Sequence, residues 1–244
     1  MIRTLWVGLN LLVATASLSL LVIALALFRA RGPAYDRIGR TWARWMMRVS
    51  GVKVRLQGVE HLSPERPQIV VSNHASWYDV WALAAFIPGR YHFVAKKELA
   101  AIPIFGTAWK AAGHISIDRS DRTSAVRSLR AAGERMHAEK GTVVIFPEGT
   151  RSDREGMLPF KKGAFMLAIH TGVEIVPTAV IGGRKVLPKG GWRVRPGTLI
   201  VRFGEPIPSA EYSERTRDEL ITRVRSAIET MLSTPTSDGT TSNV

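Results

Sequence analysis

Apolar and polar positions fall into blocks along this chain, and the blocks differ in period. Residues 5–28 form an apolar run with no charged side chain, relieved by Asn10, Thr15, Ser17 and Ser19. Its length suits a bilayer, which takes about 20 apolar residues. It is too long for the core of a signal peptide, and only Arg3 charges its front. After Gly32-Pro33, Ile38, Trp42, Trp45, Met46 and Val49 recur at helical spacing on one face, and Arg37, Arg40, Arg44 and Arg48 on another. Such a helix fits a lipid interface, and it fits packing on a core through the same tryptophans. Gly51 ends it.

Beyond Gly51 short apolar runs alternate with helical patterns. Strands are expected over 52–56, 68–72, 91–95, 114–117, 142–146, 174–181 and 198–203. Helices are expected over 77–86, 122–139 (capped by Asp121), 161–170 and 211–232. The segment 99–112 is apolar but broken by Pro103 and Gly106. This alternation predicts an α/β fold, a three-layer mixed sheet flanked by helices, with an N-terminal membrane-anchoring helical pair. The expected units are the anchor helices over 1–50, one domain over 51–232 and a disordered tail over 233–244, rich in Ser, Thr, Asp and Gly.

Charge narrows the partners. Lys+Arg is 34 against 20 Asp+Glu, a net +14, which calls for an anionic partner: nucleic acid, an anionic membrane surface or a phosphorylated substrate. Nucleic acid leaves the apolar N-terminus unexplained. If residues 5–28 span, the arginines that follow (Arg29, Arg31, Arg37, Arg40, Arg44 and Arg48) place the rest on the cytoplasmic face of the membrane. The chain has no cysteine, which removes disulfides, thiolate metal sites and a thiol nucleophile. No Gly-x-Ser-x-Gly elbow, Walker loop or Gly-x-Gly-x-x-Gly after a strand occurs. His61, His92, His114, His137 and His170 form no His-Glu-x-x-His pair, so no metal is expected.

The candidate chemistry sits just past the expected strands. His74 follows 68–72 and has the pKa range of a general base, about 6.5 when unperturbed. Asp79, five residues on, can hold one ring nitrogen and leave the other free. Ser76-Trp77-Tyr78-Asp79 also fits a helix capping box. After 142–146 comes Glu148-Gly149-Thr150-Arg151-Ser152. Gly149 permits close backbone approach, Thr150 offers a hydroxyl and Arg151 a fork suited to phosphate. Glu148 beside a phosphate is unexpected; it would hold Arg151 or bind a substrate hydroxyl. Lys96 and Arg119 leave two further strands in the same sense, and Lys161 and Lys162 extend a basic rim or start a surface helix.

Taken in order, these blocks resemble the glycerolipid acyltransferases, and most closely the lysophosphatidic acid acyltransferases. Asn73-His74-Ala75-Ser76-Trp77-Tyr78-Asp79 looks like their His-x4-Asp motif, Gly113-His114-Ile115-Ser116-Ile117-Asp118-Arg119 like their second block, and Phe146-Pro147-Glu148-Gly149-Thr150-Arg151-Ser152 like their third. Ile175-Val176-Pro177-Thr178-Ala179 is similar to the fourth, with Thr178 where valine is common. The resemblance covers roughly residues 50–205. It implies that His74 deprotonates an acceptor hydroxyl, that Asp79 orients His74, and that Glu148, Gly149, Thr150, Arg151, Arg119 and Lys96 bind the acceptor. It implies a lysophospholipid acceptor and an acyl thioester donor, acyl-CoA or acyl carrier protein, with no resident cofactor and an anionic membrane surface as partner. A same-fold enzyme with another lysolipid acceptor, or a non-catalytic basic membrane-binding module, is the competing expectation.

Overall fold

The computed structural model describes residues 1–30, 32–235 and 242–243. In chain order the elements begin with α1 (Ile2–Leu27), α2 (Gly32–Ser50), β1 (Val52–Gln57), β2 (Gln68–Ser72), α3 (Trp77–Phe86) and β3 (Tyr91–Lys96). A 3-10 turn (Lys97–Ala101) leads to α4 (Phe105–Ala111), β4 (Ile115–Ile117), α5 (Arg122–Glu139) and β5 (Thr142–Ile145). Then follow α6 (Gly163–Thr171), β6 (Glu174–Ile181), α7 (Gly183–Val186), β7 (Gly197–Phe203), α8 (Arg217–Ser233) and β8 (Ser242–Asn243).

The strands form one mixed sheet in the order β4-β3-β5-β2-β6-β7-β1-β8. The first five run parallel; β7 is antiparallel to β6, and β8 to β1. Central strands buried on both faces need apolar residues along their middle, and β2 and β5 have them in Ile69-Val70-Val71 and Val143-Val144-Ile145. Val70, Val144 and Val176 face a core shared with α2 and α3, through Met46, Tyr78, Trp81 and Leu83. Ile69, Val71, Val143 and Ile175 face the other core, with Met136 of α5, Phe165 of α6 and Leu220 of α8. The expected three-layer fold is therefore present, with one helical layer on each sheet face.

Several boundaries differ from expectation for local reasons. Helix α6 starts at Gly163, not 161, because the Lys161 amide is still tied to the Pro147 carbonyl, at 2.8 Å. Helix α8 starts at Arg217, not 211, because Tyr212 and Thr216 donate to Ser209 and Ser213 in consecutive turns. Ser233 closes α8 and Ser242–Asn243 lie beside β1; Arg31, and residues 236–241 and Val244 of the expected tail, lie outside the described residues.

Helix α1 is the one described helix long and apolar enough to cross a bilayer, with a mean hydropathy of 2.3. It docks along the domain instead of leaving it. The Arg3 guanidinium donates to the Ser50 carbonyl at 3.0 Å, and the Val194 amide donates to Thr4 at 3.2 Å. The interrupting polar residues have a use: Asn10 and Thr15 accept the indole N–H groups of Trp45 and Trp42, each at 3.2 Å. Further along, Val22 is buried. Two arginines of α2, Arg40 and Arg44, also reach the domain. Arg40 donates to the carbonyls of Ile87 and Gly89, and Arg44 to that of Ala85, satisfying the C-terminal end of α3. Trp42, Arg40 and Arg44 pack α2 on its neighbours while Trp45, Arg37 and Arg48 stay exposed, so the two fits for α2 are compatible.

Candidate active site

The parallel strands β4, β3, β5 and β2 lie side by side, so the loops that follow them share one rim. The chain leaves β2 for α3 on one sheet face and leaves β5 for α6 on the other. Adjacent strands whose connections diverge open a crevice at their carboxyl ends, the usual ligand site of open α/β sheets. His74 comes from the β2 side of this crevice and residues 148–151 from the β5 side.

His74 is held from below and from one flank. Its Nδ1 lies 3.1 Å from Asp79 Oδ2, and its ring stacks on Phe146 with centroids 4.1 Å apart. About 12% of the side chain remains exposed, so the ring is sheltered yet reachable. Because Asp79 is an acceptor, Nδ1 carries the proton and Nε2 is left to receive one.

Asp79 is fully buried in the first turn of α3. The same Oδ2 also accepts from the amides of Ala75 at 2.6 Å and Ser76 at 2.7 Å. Ser76 Oγ accepts from the Tyr78 amide, so the capping box and the His–Asp pair coexist. Asp79 Oδ1 is buried without a hydrogen-bond partner among the described residues. Gly183 closes over it: a Cβ there would sit 2.2 Å from that oxygen. Sequence reasoning passed over Gly183, although the Gly182-Gly183 pair just after β6 was the available signal.

Glu148 sits between the two loops. It is 3% exposed, and among the described residues it makes no hydrogen bond or ion pair to Arg151. One oxygen accepts from the His74 amide at 2.7 Å, the other from the Leu158 amide at 2.8 Å. Burial raises its pKa above the ordinary carboxylate value, and the two backbone donors oppose that rise. A second tie joins the loops: the Ser152 amide donates to the His74 carbonyl at 2.7 Å. Glu148 thus acts as a strut between the loops, each carboxylate oxygen taking one backbone N–H.

Arg151 reaches the crevice over the indole of Trp77, its Cζ 5.0 Å from the ring centroid. Partial burial lowers its pKa, and the nearby Asp79 charge opposes this. Gly149 has φ +73°, a conformation that suits glycine, and its carbonyl accepts from the Arg119 guanidinium. The Lys161 side chain packs against the same glycine, with Nζ 3.1 Å from where a Cβ would be. Arg119, Gly149, Arg151 and Lys161 therefore cluster beside His74. Thr150 is exposed at their edge. Lys96 pairs with Glu98 at 3.2 Å, and the Glu98 charge also acts on Arg119, while Lys97 pairs with Asp118 at 2.5 Å. Among the described residues no group of His, Asp and Glu is arranged to hold a metal ion.

Next to the crevice lies an apolar cavity of about 510 Å³, walled by α1, by Trp77, Tyr78 and Trp81 of α3, and by Leu99, Ile102 and Phe105. A smaller cavity of about 100 Å³ shares Thr15, Trp42 and Phe105 with it and ends at Trp109 and His114.

Residues 53–181 match the family model described as Acyltransferase. The chain is similar to the human 1-acyl-sn-glycerol-3-phosphate acyltransferase alpha, with 32% identity over 91% of this chain and 78% of that protein. A Pseudomonas aeruginosa protein of the corresponding name is 34% identical over 88% of this chain and 83% of its own length. A coconut relative, 33% identical, aligns over 72% of this chain but only 56% of its own. In three dimensions the crystal structure of the 1-acyl-sn-glycerophosphate (LPA) acyltransferase PlsC from Thermotoga maritima superposes with a TM-score of 0.80, at 26% identity and 97% coverage of both chains.

Proposed function

The chain belongs to the Acyltransferase family, and from that premise we propose that it moves a fatty acyl group from a thioester to the free hydroxyl of lysophosphatidic acid, giving phosphatidic acid. One observation carries the reading: a base with its orienting carboxylate and a cluster of cations face each other across one crevice. The acceptor's phosphate is assigned to Arg151, Arg119 and Lys161, with the Gly149-Thr150 backbone beneath it. That places its glycerol hydroxyl at His74.

The reaction then needs one proton to move twice. His74 Nε2 takes the hydroxyl proton as the oxygen attacks the thioester carbonyl carbon. The imidazolium that forms keeps its Nδ1–H on Asp79, whose buried charge stabilises it. Collapse of the tetrahedral adduct restores the carbonyl, breaks the C–S bond and releases a thiolate, which takes the proton back from Nε2. Among the described residues the cavity beside Trp77 is the apolar space nearest this chemistry, and we assign it the donated acyl chain. The donor is acyl-CoA or acyl carrier protein. No step calls on a metal or a bound prosthetic group.

The protein works at a membrane, to which α1 fits it. We place the domain on the cytoplasmic face, where acyl thioesters are available. Because α1 is docked over residues 3–22, we read it as lying in one leaflet rather than crossing both. The test is product analysis by mass spectrometry with mixed lysolipids and both thioester classes. Phosphatidic acid is the expected product, and folded His74→Ala should turn over about 10²–10⁴-fold more slowly. Acylation of phosphate-free acceptors alone would refute the acceptor assignment.

A further inference from the structure

Two segments far apart in sequence put large apolar side chains into solvent on the same rim. Ile104 is 43% exposed in the turn before α4, and Trp192 is 62% exposed in the loop between α7 and β7. Single exposed hydrophobics are ordinary, but a contiguous set needs a partner. These are contiguous: Ile102, Ile104, Trp77 and Trp192 line the mouth of one cavity together with Leu12 of α1.

The backbone adds a second observation. Ile104 has φ 65° and ψ −60°, and the Phe105 amide donates to the Pro103 carbonyl at 2.7 Å, closing a three-residue γ-turn. A β-branched residue at positive φ is strained, by about 1–3 kcal/mol. Here the strain delivers Ile104 outward rather than into either core, so its return comes from outside the chain. The Trp192 loop carries the complementary polar half. Arg193 stacks on Trp192 at 5.5 Å, and Arg195 of the same loop has no ion partner among the described residues. Aromatic and aliphatic tips flanked by cations suit the headgroup layer of an anionic bilayer. The loop is also tied to α1, through Val194 and Thr4.

We propose that the 102–105 turn and the 188–195 loop form a second membrane foot beside α1, immersed in the headgroup region around the cavity mouth. The occupant is lipid rather than protein, because the patch is continuous with the exposed apolar face of α1. This rests on the membrane-bound reading of α1 and is independent of which acceptor is acylated.

The absence of cysteine makes the test clean. Single-cysteine variants of the full chain, Ile104→Cys and Trp192→Cys, are labelled with a polarity-sensitive fluorophore. They are reconstituted into phosphatidylcholine vesicles containing phosphatidylglycerol, with or without shallow nitroxide lipids. Leu9→Cys on α1 (57% exposed) is the reference for immersion, and Val126→Cys on α5 (58% exposed) the reference for water. A group buried about 5–10 Å into the interface should shift its emission to the blue and be quenched about twofold or more above position 126. Ala101→Cys and Arg193→Cys replace either probe should it fail to fold. Positions 104 and 192 behaving like 126, while position 9 responds, overturns the foot. Silence at position 9 as well overturns the membrane reading beneath it, and leaves the acyl-transfer assay to stand by itself.

Discussion

Asp79 Oδ2 takes three hydrogen bonds, from two backbone amides and the His74 ring. The amides fix the carboxylate before the imidazole is considered, so the orienting group needs no rotamer search of its own. Asp79→Asn would put an NH₂ where an acceptor is needed, and we expect turnover to fall by about 10³–10⁴-fold with the protein folded. Glu148 offers a sharper test. As a strut, its loss acts on the position of His74 and not on acceptor contact. Glu148→Gln leaves one backbone N–H facing a donor, at a cost of about 1–3 kcal/mol. Steady-state kinetics should show kcat reduced about tenfold or more, with the acceptor KM within about twofold. A raised KM with unchanged kcat would return Glu148 to the acceptor. The sequence showed His74 and Asp79 because their position after a strand carries the signal. It did not show the backbone partners of Glu148, since no residue identity marks an amide, nor the local pairing of Lys96 with Glu98.

At the scale of elements, strands and long helices were readable because their burial period is written in residue type; β2, α3, α5 and β6 fall where the pattern put them. The turns before α6 and α8 were not, since backbone hydrogen bonds set those starts. Strand β4 begins beside a buried group with a measurable consequence. His114 keeps some surface and lines the small apolar cavity. Its Nδ1 accepts from the Phe93 amide at 3.2 Å, and burial, with nearby His92, Arg90 and Arg135, lowers its pKa to about 3. A depressed histidine contributes stability that is whole above its unfolded value, about 6.5, and is lost as pH falls towards 3. Denaturant melts should therefore show stability falling across that window by a few kcal/mol. His114→Asn, which keeps an acceptor for Phe93 but cannot titrate, should flatten the slope. An unchanged slope would mean that other groups carry it.

Over the whole molecule, the anchor and the domain are one body. Helix α1 walls the larger cavity, buries Val7 in the core beside Met46, and accepts hydrogen bonds from two tryptophans of α2. A detachable span would leave a soluble domain when removed. Here deletion of residues 1–28 should yield a chain that aggregates or unfolds, as size-exclusion chromatography and circular dichroism would show. A monodisperse, active truncation would contradict this. The sequence indicated the membrane without indicating the docking, because Asn10 and Thr15 looked like flaws in a greasy run until their indole partners were in view.

Both backbone polar groups of His74, its amide and its carbonyl, are bound by the loop that carries Arg151. Base and headgroup clamp are therefore one rigid piece, and residues 148–152 cannot drift without dragging the proton acceptor along.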